Sequence, residues 1–197
     1  MKALILAAGF GVRLREIVHG RPKHLAPVNG QPFLRHLLKL LKKRQVTQIV
    51  LSVGYLAQYI IDEFTRDNEG LKIEFSEDER PLGTAGSLKA AQKYLSEDFF
   101  VINGDTYLDI DYQKIYRDHQ TGARLVSLVV NREINCGIYV VSPKIFDLIP
   151  EGTKYSLEKD LLPILFRKNQ VGLFKKDQKF IDIGSPEGYA QALKKLK

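Results

Sequence analysis

The stretch that decides the fold is residues 4–30, LILAAGFGVRLREIVHGRPKHLAPVNG. It begins with an apolar run, residues 4–6, that is typical of a buried β-strand, and small residues with two glycines follow at once. Glycines directly after a strand let backbone N–H groups approach a phosphate chain without obstruction by side chains. The stretch therefore predicts a first strand whose following loop faces a phosphorylated ligand.

Two basic residues of this stretch are candidates for phosphate contacts. Arg13 can hold phosphate oxygens through a bidentate, charge-assisted contact. Lys23 lies on a loop stiffened by Pro22, so its charge is held near one place. Neither the dinucleotide-binding nor the P-loop fingerprint is present. Taken alone, the glycine loop with Arg13 is equally compatible with a plain tight turn, and Lys23 by itself is more typical of an exposed loop lysine.

The composition predicts one domain over residues 1–197, with an ordinary apolar fraction of 44%. No apolar run approaches the roughly 18 residues that a membrane span requires. The single cysteine, Cys136, excludes an intrachain disulfide and fits a cytoplasmic protein. The net charge of +7 indicates acidic partners such as phosphorylated metabolites. The aromatic stripe on a basic face that would indicate nucleic-acid binding is missing, so we expect neither nucleic acid nor a membrane as partner.

Apolar patterns predict strands and helices in alternation along the chain. After the first strand, strands are predicted at residues 49–53, 71–75, 99–102, 125–130, 137–141 and 180–183. Helices are predicted at residues 31–44, around 60–64, at 83–95, 111–120 and 156–167, and from residue 185 onwards. This alternation predicts an α/β fold with a single doubly wound, mostly parallel (Rossmann-like) sheet and helices on both faces.

Three further features lie where ligands bind in such sheets, at the carboxyl ends of strands. The glycines of PLGTAGSL, residues 81–88, form a lining small enough to admit a base or a ribose. Asp105 and Asp182 each lie at the tip of an apolar strand, where a carboxylate can hold Mg²⁺ against phosphate oxygens. Either aspartate alone is also an ordinary turn or capping residue.

Together these blocks resemble the nucleotidyltransferases that join a nucleoside triphosphate to a sugar 1-phosphate. ILAAGFGVRL with RPKHLAPVNGQPFL resembles the opening signature of that family. The later blocks follow in the family's order: EDERPLGTAGSL, VINGDTYLDID, NCGIYVVS, SLEKDLLP and FIDIGSPEGY. Within the family, several of these blocks are most similar to those of the D-glycero-D-manno-heptose 1-phosphate guanylyltransferases.

The resemblance implies a role for each site residue. Arg13, Lys23 and Asp105 would carry catalysis, and Asp105 and Asp182 would hold Mg²⁺. Asn135, Gly137 and Glu158 would line the sugar pocket. The implied nucleotide-binding residues are Leu6, Ala7, Ala8, Gly9, Gly11, Arg13, Lys23, Glu79, Gly83, Thr84, Asn103 and Gly104.

The resemblance also implies a reaction in which an oxygen of the sugar phosphate attacks the α-phosphorus and pyrophosphate departs. The favoured substrates are GTP and D-glycero-α-D-manno-heptose 1-phosphate. Three alternatives stay open: a mannose-1-phosphate guanylyltransferase, a sugar-1-phosphate uridylyltransferase, and a catalytically silent homologue that binds nucleotide sugars. The oligomeric state is also open, a homo-oligomer included.

Among the departures from the family pattern, two bear most on the site. His24 stands where a proline is usual. Between Val130 and Ile134 the chain has only Asn131, Arg132 and Glu133, where family members carry a few dozen further residues. That longer segment includes a lysine that meets the sugar phosphate, and we find no counterpart of this lysine in the sequence.

Overall fold

The protein is described by a computed structural model that covers residues 1–11, 14, 18 and 20–196. Its strands are β1 Lys2–Leu6, β2 Pro27–Val28, β3 Gln31–Pro32, β4 Gln48–Val53, β5 Lys72–Glu77, β6 Phe99–Asn103, β7 Thr106–Tyr107, β8 Val126–Asn131, β9 Ile134–Val141, β10 Val171–Lys176 and β11 Ile181–Asp182. Seven of them form the central sheet, in the order β10-β8-β9-β6-β1-β4-β5.

The central sheet is mostly parallel, which confirms the predicted fold class. β1 pairs in parallel with β4 and β6, β4 with β5, and β8 with β10. β9 runs antiparallel to both of its neighbours, β6 and β8. The chain proceeds outward from β1 to β4 and β5 and then returns to place β6 on the other side of β1. This reversal makes the carboxyl end of β1 a topological switch point, the usual place for a ligand.

Helices cover both faces of the sheet. The α-helices are α1 Phe33–Lys43, α2 Ala57–Arg66, α3 Gly83–Ala90, α4 Tyr112–Thr121, α5 Leu162–Arg167 and α6 Pro186–Lys195. Successive side chains of a strand point to opposite faces, so Ala3 and Ile5 pack with α1, α2 and α4, whereas Leu4 packs with α3 and α5. Within the described ranges, none of the helices has the length and apolar character of a membrane span.

The observed elements differ from the prediction in several places, and the short strands β2, β3 and β7 were not predicted. The edge strand β10 was not predicted, because in VGLFKK only Val171 is fully buried and the pattern is weak. β11 was predicted as a strand, but it pairs with β7 outside the central sheet. The segment 156–167 divides into a π-helical turn, Leu157–Leu161, and α5, because Pro163 lies in the first turn of α5.

Besides the cores on the two faces of the central sheet, a smaller core joins the segments that carry the candidate site. It is formed by Leu14, Val18, Ala26, Val28, Phe33, Ile181, Ile183, Ala192 and Leu196. The loop after β1, the β2–β3 hairpin, β11 and α6 therefore pack against one another beside the central sheet.

Candidate active site

A cavity of about 620 Å³ opens at the carboxyl ends of β1, β4, β5 and β6. Residues that directly follow these strands line it, among them Ala8, Gly54, Asp78 and Asp105. The predicted site residues that line the cavity are Leu6, Ala8, Gly9, Lys23, Glu79, Gly83, Thr84, Asn103 and Asp105. Parallel strands end at one edge, so these loops, distant in sequence, surround one volume large enough for a nucleotide.

Lys23 and Asp105 form an ion pair at the cavity, with Lys23 Nζ donating to Asp105 Oδ2. Each side chain is only 17% exposed. Burial by itself would raise the pKa of the Asp105 carboxyl, but the charge of Lys23 and its hydrogen bond hold this pKa below its ordinary value. The pair therefore places a carboxylate and an ammonium group side by side at the sheet's switch point.

His24 fills the space behind this pair. The side chain is 1% exposed, and a Cβ atom on Gly104 would lie 2.9 Å from His24 Cδ2. Burial lowers the pKa of His24 to about 3, and the neighbouring charge of Lys23 acts in the same direction. The ring is therefore neutral near pH 7 and adds no charge to the site.

Three predicted nucleotide-binding residues shape the site without lining the cavity. The N–H of Ala7 donates to Ser52 O at 2.8 Å, and the N–H of Gly104 donates to Leu6 O at 2.9 Å. Gly11 has φ +59°, and a Cβ there would lie 2.8 Å from Lys23 Cβ. Gly11 therefore lets Lys23 approach the loop after β1, and Gly104 lets the His24 ring pack against the end of β6. Arg13 lies outside the described residues.

Asp182 is held beside Asp105 by the β7–β11 ladder. Asp182 pairs with Thr106, and Ile183 N donates to Asp105 O at 3.0 Å. The Asp182 side chain does not line the cavity, and its Oδ1 accepts from Gly184 N at 2.7 Å. Across the described part of the chain, no group of three or more His, Cys, Asp or Glu side chains could hold a metal.

The donor chemistry of the two aspartates nevertheless fits a magnesium ion. Mg²⁺ is usually held by one or two carboxylates together with substrate phosphates. Asp105 Oδ2 accepts from Lys23, and neither Asp105 Oδ1 nor Asp182 Oδ2 has a hydrogen bond from another described residue. Asp105 on the cavity lining, with Asp182 beside it on the paired strand, matches that pattern.

The predicted sugar-pocket residues lie next to the cavity and not on its lining. Asn135 and Gly137 belong to β9, and Glu158 to the π-helical turn. Thr84, which does line the cavity, donates to Glu158 Oε2 at 2.7 Å. A Cβ on Gly137 would lie 2.5 Å from Asn103 Nδ2, so this glycine allows Asn103 to pack against β9. Thr84 and Asn103 thus connect the predicted nucleotide-binding residues with the predicted sugar-pocket residues.

Sequence reasoning missed several residues of the cavity lining, among them Asp78, and it also missed Tyr139 beside the cavity. Asp78 lines the cavity and is 7% exposed; Ser87 Oγ donates to its Oδ2, while its Oδ1 has no partner among the described residues. Burial raises the pKa of Asp78. Its position directly after β5 was a usable signal. Tyr139 offered none, because it lies within the apolar strand GIYVV and reads as core.

The short link between β8 and β9 is a tight hairpin turn. Arg132 and Glu133 connect the two strands, and Arg132 has φ +56°. Asn131 pairs with Ile134 across the turn. The hairpin closes continuously at this point.

Comparison with known proteins confirms the resemblance to the nucleotidyltransferases. The family model described as nucleotidyl transferase matches residues 2–135. A D-glycero-alpha-D-manno-heptose 1-phosphate guanylyltransferase of Aneurinibacillus thermoaerophilus is 32% identical over 226 aligned positions, covering 100% of this chain and 98% of that protein. Because this chain has 197 residues, part of that relative has no counterpart here.

Two other similar proteins differ in how much of their length is matched. A mannose-1-phosphate guanyltransferase of Debaryomyces hansenii is 31% identical over 96% of this chain, but over only 62% of its own length. The crystal structure of HddC from Yersinia pseudotuberculosis complexed with GMP-PN superimposes with a TM-score of 0.85. It is 33% identical, with 100% of this chain and 99% of that chain covered.

Proposed function

The chain belongs to the nucleotidyl transferase family, and on this basis we propose that it transfers a nucleotidyl group from a nucleoside triphosphate to a sugar 1-phosphate. The observation that carries the proposal is the Lys23–Asp105 ion pair at the cavity. The chain around this pair is matched over its full length by a sugar-1-phosphate guanylyltransferase. The favoured substrates are GTP and D-glycero-α-D-manno-heptose 1-phosphate. Mannose 1-phosphate is the alternative acceptor.

The reaction exchanges one phosphoanhydride bond for another. A phosphate oxygen of the sugar 1-phosphate forms a bond to the α-phosphorus, the bond from that phosphorus to the β-phosphate oxygen breaks, and pyrophosphate leaves. No protein nucleophile is needed, so catalysis consists of positioning and charge neutralisation. Lys23 stabilises charge that develops on the α-phosphate oxygens, and the glycine loop after β1 leaves room for the phosphate chain. Arg13 is proposed to contact the departing phosphates.

Asp105 and Asp182 are proposed to hold a divalent cation, Mg²⁺. When bound, the ion supplies neutralisation of the phosphate charge and orients the phosphate oxygens. Lys23 already occupies one oxygen of Asp105, so the lysine also holds that carboxylate in a fixed orientation toward the cavity.

The choice of GTP rests on the named relatives and on Asp78. The exposed edge of guanine carries two adjacent donors, N1–H and the 2-amino group. Asp78 is an acceptor-only group when ionised, and it lies on the β5 side of the cavity, away from Lys23 at β1. We therefore assign Asp78 to the base and Asn135, Gly137 and Glu158 to the sugar.

The substrates proposed here are cytoplasmic metabolites, and we propose that location for the protein.

Pyrophosphate release tests the proposal. The purified chain with Mg²⁺ is supplied with GTP, UTP, ATP, CTP or dTTP, each combined with heptose, mannose, glucose or N-acetylglucosamine 1-phosphate. We expect turnover with GTP and the heptose phosphate. Turnover with mannose 1-phosphate alone would replace the acceptor and keep the reaction. Nucleotide binding without turnover for any pair would instead indicate a homologue that has lost its acceptor site.

A matched pair of variants guards against a contaminating activity. Asp105→Asn should abolish turnover, whereas Asp109→Asn should leave it unchanged. Asp109 belongs to the same segment, but its partner is the half-exposed Arg44 at the surface. Equal loss in both variants would indicate a folding defect and not a role of Asp105 in the reaction.

A further inference from the structure

The hydroxyl of Tyr139 stands at the centre of a hydrogen-bonded chain beside the cavity. Asn135 Nδ2 donates to Tyr139 Oη at 2.7 Å, and Tyr139 Oη donates to Glu158 Oε1 at 3.2 Å. The tyrosine side chain is fully buried. Tyr139 therefore reaches no substrate directly and can act only through Asn135 and Glu158.

The other oxygen of Glu158 is also held by hydroxyl groups. Thr84 Oγ1 donates to Glu158 Oε2 at 2.7 Å, and Ser156 Oγ donates to the same oxygen at 3.2 Å. A carboxylate offers about four lone-pair sites. With Oε2 saturated by these contacts and Oε1 bonded to Tyr139, one site on Oε1 remains for a further donor.

The available donors and acceptors determine the direction of each hydrogen bond around Tyr139. Tyr139 has one hydroxyl hydrogen, and the carboxylate of Glu158 can only accept, so this hydrogen points to Glu158. The hydroxyl oxygen then accepts from the amide nitrogen of Asn135. The amide oxygen of Asn135 consequently faces the other way and accepts from Gly137 N at 2.8 Å. One buried hydroxyl thus orients both side chains.

The hydrogen-bonded series of side chains around Tyr139 reaches the cavity at both ends. Thr84 is in contact with Glu158 and lines the cavity. At the other end, Gly137 packs against Asn103, which also lines the cavity. A change in the orientation of Glu158 or Asn135 would therefore occur next to the bound nucleotide.

We propose that Tyr139 is a positioning residue that fixes Glu158 Oε1 and Asn135 in the orientation that receives the hydroxyls of the sugar 1-phosphate. The proposal rests on the proposed function for the identity of the acceptor. Without the hydroxyl, Glu158 Oε1 and the Asn135 amide each lose a partner and rotate more freely. Their contacts with the sugar then have to be ordered on binding, which weakens the affinity for the acceptor and not for the nucleotide.

The test compares Tyr139→Phe with Tyr112→Phe. Both tyrosines are fully buried. Tyr112 donates to Leu108 O at 3.2 Å in the core on the opposite face of the sheet, so it controls for loss of a buried hydroxyl. In Tyr139→Phe we expect the KM for heptose or mannose 1-phosphate to rise about tenfold, because the affected hydrogen bonds involve a charged group. The KM for GTP should stay unchanged, and Tyr112→Phe should change neither constant.

Calorimetric titration with GTP, and separately with each sugar 1-phosphate, provides a readout that does not require turnover. If Tyr139→Phe leaves both affinities unchanged, or weakens GTP and sugar binding equally, the positioning role is overturned. If the unsubstituted protein shows no turnover, the proposed function fails. A selective loss of sugar-phosphate binding in Tyr139→Phe would then still support the role of Tyr139. No sugar-phosphate binding by the unsubstituted protein would overturn both.

Discussion

Lys23 donates a hydrogen bond to Asp105 across a separation of 82 residues in sequence. One residue follows the glycine loop of β1 and the other follows β6, the strands on either side of the switch point. Both side chains are largely buried. If either one left the site, the other charge would stay buried without its partner, which is unfavourable. The ion pair therefore keeps the site arranged before a substrate binds.

Removal of the lysine charge is the most direct test of catalysis by charge neutralisation. We expect Lys23→Met to lower kcat/KM for pyrophosphate release by about 10²- to 10³-fold, the usual cost of losing one group that stabilises transition-state charge. Lys23→Arg keeps the charge and serves as the control, with a smaller loss. Equal activity of Lys23→Met and the unsubstituted protein would remove Lys23 from the mechanism.

Gly188 positions the strand that carries Asp182. A Cβ atom on Gly188 would lie 1.6 Å from Asp182 O, so Gly188→Ala must push α6 and β11 apart. We expect a loss of about 1–3 kcal/mol in the free energy of unfolding and a higher Mg²⁺ concentration for half-maximal turnover. In Gly172→Ala the nearest atom would be 3.6 Å away, and the Mg²⁺ dependence should not change. A normal Mg²⁺ dependence in Gly188→Ala would show that Asp182 does not hold the ion.

His24 should make the protein sensitive to acid. Its pKa is about 3 in the folded state, against 6.5 as the ordinary value. Below pH 6.5 the His24 side chain is protonated in the unfolded chain, whereas in the folded protein it stays neutral down to about pH 3. The free energy of unfolding therefore falls as the pH decreases through this window, by up to about 1.4 kcal/mol per pH unit.

The variant His24→Gln removes this titration and keeps a neutral polar side chain of similar size. Chemical denaturation of both proteins between pH 7 and pH 4 measures the difference directly. We expect the two curves of unfolding free energy against pH to converge as the pH falls. Parallel curves would mean that His24 accepts a proton in the folded protein.

Asp78 is expected to govern the choice of base. Asp78→Asn replaces an acceptor-only group with one that also donates, which conflicts with the donors of guanine. We expect kcat/KM for GTP to fall about tenfold, and the preference for GTP over inosine triphosphate, which lacks the 2-amino group, to disappear. Unchanged discrimination between these two nucleotides would place the base away from Asp78.

The fold was largely predictable because apolar runs and helical spacing are local properties. The buried strands β1, β4 and β6 are continuous apolar segments, and α1 carries leucines at helical intervals. The half-exposed edge strand β10 has no such signal and was missed. The pairing of β11 with β7, which brings Asp182 to Asp105, depends on contacts between segments that are far apart in the sequence.

The sequence by itself determined that glycine loops and charged residues follow buried strands, and hence which edge of the sheet carries the chemistry. Only the tertiary structure decided which of these residues meet: Lys23 with Asp105, Thr84 with Glu158, and Tyr139 with Asn135 and Glu158. A local pattern specifies where a side chain leaves the backbone. Its partners depend on the order of strands in the sheet, which is set by packing over the whole chain.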